Sequence, residues 1–359
     1  MRLGVNGRFY GTRTSGVQRV AGALVERLCD RAEVTLRIPR GCIVPEDVRR
    51  RAEVREGRLR GPAWEQLELP ARGRGGALEL DPANAGPAWG GRRVLILHDV
   101  LPLSHPDAYS RSFRSWFAQV VSRSARRARK VIMFSEWARR EAIQHLGLQP
   151  ERVRVLTQGL EPFHEPAPVE RVRATLDRFG LSRPYILATG AGDSRKNAAF
   201  LRRVLERLPG GPAGAPTLVL VGAPYRHVHR PDGNAAWGVD VRHLGHVTDQ
   251  ELQALYTAAR VFCFPSLAEG FGRPPLEAMG CGTPVVAADY GSAAEVLGEA
   301  AVLLPLDAAA WGVTLRELLE DDELRGSRAA AGRAHARRFR WDAAVEGLLE
   351  ACEDAGGSD

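Results

Sequence analysis

Lysine is almost missing from this sequence. Of 50 lysines and arginines, only Lys130 and Lys196 are lysine. A GC-rich genome produces such a bias without functional cause. The two exceptions still mark positions of interest, because a compact ammonium and a planar guanidinium are not interchangeable at a tight site. Long apolar runs are missing too. None approaches the roughly 20 residues that a membrane-spanning helix needs. The N-terminal MRLGVNGRFYG has no apolar signal segment. The five cysteines (Cys29, Cys42, Cys263, Cys281, Cys352) show no C-x-x-C spacing. That argues against a disulfide framework, and the expected location is the cytoplasm. No His/Cys cluster has zinc spacing, and no Asp-x-Asp follows a strand. Hence no metal and no permanently bound cofactor is expected.

What is present is ordinary in bulk. The 359 residues are 44% hydrophobic and 26% charged, with a net charge of +7. The length exceeds one ordinary core and suits two domains. The positive balance favours an anionic partner such as a nucleotide or an acidic membrane surface. Nucleic acid is not expected, since no stacking or groove-reading motif accompanies the arginines.

Strand-like and helix-like segments alternate along the first half. RLGVNG (2–7), EVTLRIP (33–39), RRVLILHD (92–99), KVIMFS (130–135) and RVRVLTQG (152–159) read as strands. Residues 15–28 carry Val17, Val20, Leu24 and Leu28 on one helical stripe. SEWARREAIQHLG (135–147) reads as a helix capped by Ser135 and stopped by Gly147. Residues 41–91 are rich in Arg, Gly and Pro with little periodicity, and read as long loops with a short strand or helix. The three prolines of 158–170 suggest an interdomain linker.

A second alternating series follows: PYILATG (184–190), PTLVLVG (216–222), VRHLG (241–245), VFCFPS (261–266), PVVAAD (284–289) and AVLLP (301–305). Thr248–Glu251 and Ser292–Glu295 both have capping-box spacing. Near-continuous apolar strands between helices predict α/β architecture with parallel sheets covered on both faces. Two such series predict two doubly wound, Rossmann-like domains. The expected boundaries are 1–165, 166–338, and a final segment 339–359 whose helix crosses back to the N-terminal domain before a disordered tail.

The stretch SLAEGFGRPPLEAMGCGTP (266–284) concentrates the chemistry. It follows an apolar strand, and ligands in open α/β sheets bind beyond strand carboxyl ends. Gly270 and Gly272 let backbone N–H groups approach a ligand. The helix that Pro274 and Pro275 open adds a positive dipole end. This is a turn suited to phosphate. Glu277, placed in the first helical turn, suits a vicinal diol such as ribose. Glu269, at the strand end, suits whatever the distal phosphate carries. Taken singly, Glu277 is equally a helix-start charge and Glu269 a loop acid.

Residues 243–304 resemble the donor-binding half of retaining glycosyltransferases of family 4, which have the GT-B fold. The E-x7-E pattern falls on Glu269 and Glu277. YILATGAGDSRKN (185–197) resembles the family's glycine-ended strand with a following basic pair, and ILHDVLPLSHPDAYS (96–110) resembles its acceptor-side His-Asp segment. The resemblance covers nearly the whole chain and is weakest at 41–91. It implies two Rossmann-like domains facing a central cleft. It also implies transfer of a hexose or deoxyhexose from a nucleotide-diphosphate sugar to a hydroxyl acceptor, with retention and without metal.

By position, the resemblance assigns catalytic roles to Glu269, Lys196 and His98. It places Gly16, Gly190, Arg195, Lys196, Val247, Gly270, Phe271, Gly272, Arg273 and Glu277 around the donor. An arginine usual after the strand-end glycine is replaced here by Ala191, so Arg273 either substitutes for it or faces solvent. The competing readings are a nucleotide-sugar epimerase or hydrolase of related fold, and a non-catalytic basic binder. Donor turnover without acceptor would favour the former. For the latter, the basic amphipathic 111–130 would lie on an anionic membrane at the inner face. The plain alternative is a helix whose stripe of Phe113, Trp116, Phe117, Val120 and Ser124 packs on a sheet.

Overall fold

In a computed structural model of the chain, the described residues are 1–72, 78–90, 92–182, 184–190, 192–208, 216–222 and 240–357. They form two compact units. The first takes Met1–Pro106, Arg111–Gly159 and the chain from Arg340 onward. The second takes Asp107–Ser110 and Leu160–Phe339. The division between them falls after Gly159, inside the Pro-rich stretch 158–170.

The first unit contains, in chain order, β1 (Arg2–Asn6), α1 (Gly16–Leu28), β2 (Glu33–Ile38), α2 (Glu46–Arg51) and β3 (Glu53–Glu56). A helical run α3 follows, from Gly61–Ala63 through a π turn at Trp64–Glu68 into Leu69–Arg72. Next come β4 (Leu78–Asp81) and β5 (Arg93–Ile96). A second helical run, α4, goes from Arg111–Trp116 through a π turn at Phe117–Val121 into Ser122–Arg127. β6 (Lys130–Met133), α5 (Glu136–Leu146) and β7 (Val153–Val155) complete the sheet region. The described strands pair in parallel in the order β3-β2-β1-β4-β5-β6-β7.

Residues 41–91 depart from the expectation of long loops. They supply an edge strand and a central one. β4 reads LELD, with charges at alternate positions, yet all four residues are buried. Each acid has its own cation or amide. Glu79 pairs with Arg37, while Asp81 accepts from Arg93 Nη1 at 3.1 Å and from Asn6 Nδ2 at 2.9 Å. A charged strand is admissible in a core when every charge is paired and hydrogen-bonded.

α5 begins and ends as its sequence predicts. Ser135 Oγ accepts from Ala138 N at 3.0 Å, and Gly147 takes the left-handed conformation at φ 63°. In α4, Phe117, Val121 and Ala125 sit in the core with Leu95, Val131 and Met133, and Phe113 and Trp116 pack against it. Arg111, Arg123, Arg126 and Arg127 are exposed. The apolar stripe is therefore used on the sheet. Membrane contact through this helix would rest on charge alone. No helix among the described residues is long and apolar enough to cross a membrane.

The second unit contains α6 (Val169–Phe179), β8 (Tyr185–Thr189), α7 (Ala198–Leu205), β9 (Thr217–Val221), β10 (Val241–Gly245), α8 (Asp249–Ala258) and β11 (Val261–Phe264). After them come α9 (Arg273–Gly280), β12 (Val285–Ala288), α10 (Ala293–Leu297), β13 (Val302–Leu304), α11 (Ala308–Glu320) and α12 (Asp322–Ala336). Its described strands are also parallel, in the order β10-β9-β8-β11-β12-β13. The order reverses between β8 and β11, which makes a crevice at their carboxyl ends, the usual ligand position in such sheets.

α13 (Trp341–Gly357) returns to the first unit. Trp341, 4% exposed, covers Gly159, where an added Cβ would meet the indole at 2.4 Å. The helix runs through Gly357, so residues 353–357, expected to be disordered, are helical. Arg129 Nη1 donates to the Ala355 carbonyl at 2.7 Å, which satisfies one of the orphan acceptors of the helix end.

Candidate active site

The crevice between β8 and β11 gathers several of the residues singled out above. Lys196 ends a short 3-10 turn, Ser194–Lys196, beyond β8. Glu269 lies five residues past β11. Lys196 Nζ is 2.5 Å from Glu269 Oε1, and the two side chains are 14% and 12% exposed. The ammonium also stands 4.6 Å above the Phe264 ring, a cation–π arrangement.

The loops that carry the pair are tied to each other. Leu267 N donates to the Arg195 carbonyl at 2.8 Å, and Ser266 Oγ donates to the same carbonyl at 3.2 Å. Ser266 Oγ also bonds Glu269 Oε1. Gly190 makes room for the lysine. It has φ 81°, and a Cβ there would lie 2.5 Å from Lys196 Cγ. Ala191, next along, lies outside the described residues.

Arg195 pairs within its own turn. Asp193, 3% exposed, accepts from its backbone N at 2.9 Å and from Nη2 at 2.6 Å. Lys196, the other cation of this turn, meets a carboxylate on the loop beyond β11.

Gly270, Phe271 and Gly272 are buried, and Gly272 is the left-handed N-cap of α9 at φ 87°. A Cβ on Gly272 would meet Tyr290 Oη at 2.2 Å. Tyr290 is itself buried, and burial first, then Glu269, pushes its pKa well above the usual phenol. Gly272→Ala is therefore expected to strain the backbone and clash at once. Destabilisation of about 2–4 kcal/mol, read by urea denaturation, is expected.

α9 begins at Arg273, so Glu277 stands at its fifth position, one turn further in than the sequence suggested. Arg273 Nε donates to Glu277 Oε1 at 3.2 Å. Arg273, its side chain 11% exposed, does not face solvent. Tyr256 Oη donates to Glu277 Oε2 at 3.3 Å, and His164 Nε2 lies 3.8 Å from Oε1. Burial lowers the His164 pKa, against the opposing pull of Glu277. Val247, 8% exposed, precedes Thr248, whose capping box with Glu251 is formed.

The second capping box is not formed. Ser292 makes no side-chain cap bond; its hydroxyl lies 3.1 Å from the Glu269 carbonyl and 3.3 Å from that of Phe271. Ser266, Ser292, Tyr256 and His164 were missed as site residues. Two serines looked like strand-end and cap residues, and His164 sat in a Pro-rich stretch with no periodicity. No short-range pattern marks any of the four.

His98 and Gly16 belong to the first unit. His98 is 8% exposed; Nε2 lies 3.4 Å from the Pro82 carbonyl, and the ring is 5.1 Å from Phe134. Gly16 opens α1, and a Cβ there would meet nothing within 4 Å. Nearby, at the reversal between β1 and β4, Asn6 Nδ2 bridges Glu65 Oε1 at 3.0 Å and Asp81 Oδ1. Arg8 Nε donates to the same Glu65 oxygen at 2.8 Å. Among the described residues, no cluster of His, Cys, Asp and Glu could hold a metal ion.

Comparison with known proteins decides the family. Residues 14–162 match the family described as Glycosyltransferase Family 4, and residues 183–321 match the one described as Glycosyl transferases group 1. The chain belongs to the family 4 glycosyltransferases. O-antigen chain mannosyltransferase B of Escherichia coli is 29% identical over 261 residues, 70% of this chain and 67% of that one. A D-inositol 3-phosphate glycosyltransferase of Salinispora arenicola is 37% identical over 234 residues, 60% of this chain and 52% of its own. The chain spans 34% of the serotype-specific mannosyltransferase WbdA of Escherichia coli. Among solved structures, HepE of Anabaena, in complex with UDP and glucose, superposes with a TM-score of 0.73 at 19% identity, covering 99% of this chain and 100% of that one. Sucrose-phosphate synthase of Thermosynechococcus elongatus gives 0.75 at 19%, covering 98% of each. Identities this low establish the fold of this family 4 chain, which is GT-B.

Proposed function

We propose that this family 4 chain transfers a hexose or deoxyhexose from a nucleotide-diphosphate sugar to a hydroxyl acceptor. Transfer proceeds with retention at the anomeric carbon and without metal. The observation that carries the reading is the Lys196–Glu269 pair at the reversal between β8 and β11, beside the Gly270–Gly272 turn that opens α9. A cation, a turn of close-approach glycines and a helix start converge there on one small region. That convergence suits a diphosphate leaving group. The E. coli relatives are named mannosyltransferases, which supports a hexose.

In this reading the diphosphate binds Lys196 and the α9 start. Lys196 has three N–H donors and reaches an anion without leaving Glu269 altogether. Glu269, held by Ser266, orients the sugar hydroxyls and stabilises positive charge on an oxocarbenium-like transition state. One carboxylate on the sugar favours departure and attack on the same face. Glu277, fixed by Tyr256 and Arg273, accepts the ribose diol.

Calorimetric titration of UDP, GDP, dTDP and ADP with EDTA present tests the reading. Wild type should bind one of them selectively, and Lys196→Ala and Glu277→Ala should bind it at least tenfold more weakly, since each loses a charge-assisted contact of about 1.5–3 kcal/mol. Binding by no nucleotide, or equal binding by both variants, removes the assignment. Anomeric coupling constants in the product then test retention.

A further inference from the structure

We infer that Ser292 is a positioning residue for the anion-binding turn: its hydroxyl sets the direction in which the turn's amides point, and thereby the turn's affinity for a diphosphate. The inference rests on the donor-site reading above and goes beyond it, since Ser292 touches no donor atom in that scheme.

The geometry is specific. Ser292 is fully buried (0% exposed). It occupies the nominal cap position of α10, but with φ −96° and ψ 2° it makes no cap bond. Its Oγ faces two main-chain carbonyls of the turn, Glu269 O at 3.1 Å and Phe271 O at 3.3 Å. One hydroxyl proton is shared between these acceptors.

In a trans peptide, the C=O of one residue and the N–H of the next point in opposite directions. Drawing the Glu269 carbonyl onto Ser292 therefore turns the Gly270 N–H to the other face. The same holds for the Phe271 carbonyl and the Gly272 N–H. One buried hydroxyl thus orients two amides, at alternate residues, away from Ser292.

The loop that supplies Ser292 supplies a second brace. Two residues earlier, Tyr290 packs its ring edge-on against Phe264, with centroids 5.7 Å apart, and its hydroxyl abuts Gly272. Without the Ser292 hydroxyl, two carbonyls in a buried turn lose the donor they have in common. The constraint that fixes both peptide planes together is then removed, and the amides can rotate with their carbonyls. The carboxylate of Glu269 is held separately, by Ser266 and Lys196. Loss of Ser292 should therefore act on the diphosphate and not on the base or ribose.

Ser292→Ala and Ser292→Thr test this by calorimetry with the nucleoside diphosphate that wild type binds, with inorganic pyrophosphate, and with the matching nucleoside. The alanine variant is expected to bind both diphosphate species about tenfold more weakly, the size of one lost hydrogen bond to a charged ligand's site, with nucleoside affinity unchanged. Threonine, which keeps the hydroxyl, should restore diphosphate affinity. Equal weakening of nucleoside and diphosphate, or a lower melting temperature with diphosphate affinity intact, overturns the inference. A measurement on wild type stands independently of how the variants fold. Pyrophosphate should shift the Gly270 and Gly272 amide resonances, and their immobility would equally overturn it. If wild type binds none of the four nucleotides, the donor-site reading itself fails, and the inference falls with it. Wild-type binding that Ser292→Ala leaves unaltered defeats the inference alone.

Discussion

Lys196→Ala is expected to lower kcat/KM for sugar transfer by about 10²–10³-fold, the usual scale for removing one preorganised charge from a developing anion. The same change also leaves Glu269, 9% exposed, without its cation at 2.5 Å. Removing one partner of a buried pair is strongly destabilising, because the other is left uncompensated. Loss of activity alone would then be ambiguous. The double variant Lys196→Ala/Glu269→Gln separates the causes. It removes both charges and should recover most of the stability lost in the single variant. If Lys196 serves the leaving diphosphate, affinity for the nucleoside diphosphate, which carries no sugar for Glu269 to hold, stays low while the melting temperature recovers. If both recover together, Lys196 is a structural counter-ion and the catalytic assignment is wrong.

The largest expected effect on stability lies in the other unit. Arg93→Met strips Asp81 of its guanidinium partner. The two side chains are 5% and 1% exposed, so about 3–5 kcal/mol should be lost, measured by urea denaturation at pH 8. The loss should shrink with acid. Burial raises the Asp81 pKa to about 6, while Arg93 pulls it down. An acid whose folded pKa exceeds its unfolded value binds more protons in the native state, so stability falls as pH rises through the interval between the two values. Without Arg93 that interval extends upward, and protonated Asp81 no longer needs a cation. The difference between wild type and variant should therefore be smaller at pH 5 than at pH 8. An equal or greater difference at pH 5 would show that Arg93 stabilises through packing.

Much of the α/β pattern was legible because buried parallel strands are apolar from end to end. VFCF, YILAT, VVAA and TLVLV announce themselves. β4 did not, because LELD has the alternation of a half-exposed strand, and nothing local shows that Arg37, Arg93 and Asn6 will meet its acids. Those partners come from β2, β5 and β1. A core charge is legible only with knowledge of its neighbours in the sheet. The same reasoning explains the site. Lys196 stood out by the scarcity of its type, and Glu269 and Glu277 by the turn between them. Ser292 has the spacing of a cap, and its hydroxyl goes instead to a turn more than twenty residues away in sequence. The pairing of Arg273 with Glu277, one turn along the same helix, follows from i,i+4 spacing once the helix start is known.

α13 has a consequence for the order in which the molecule is made. A ribosome delivers β1 before the body of the second unit and α13 after it. Until then Gly159 lacks its cover, Arg129 lacks the Ala355 carbonyl, and the α1 face that Arg27 shares with Trp341, at 5.3 Å, is unclosed. The second unit, whose residues are contiguous apart from 107–110, has all its strands before α13 emerges. The unit begun first is thus finished last. A nascent chain halted anywhere short of residue 341 carries an incomplete first unit however perfectly its second has formed, and that unit is the one exposed to chaperones and proteases during synthesis.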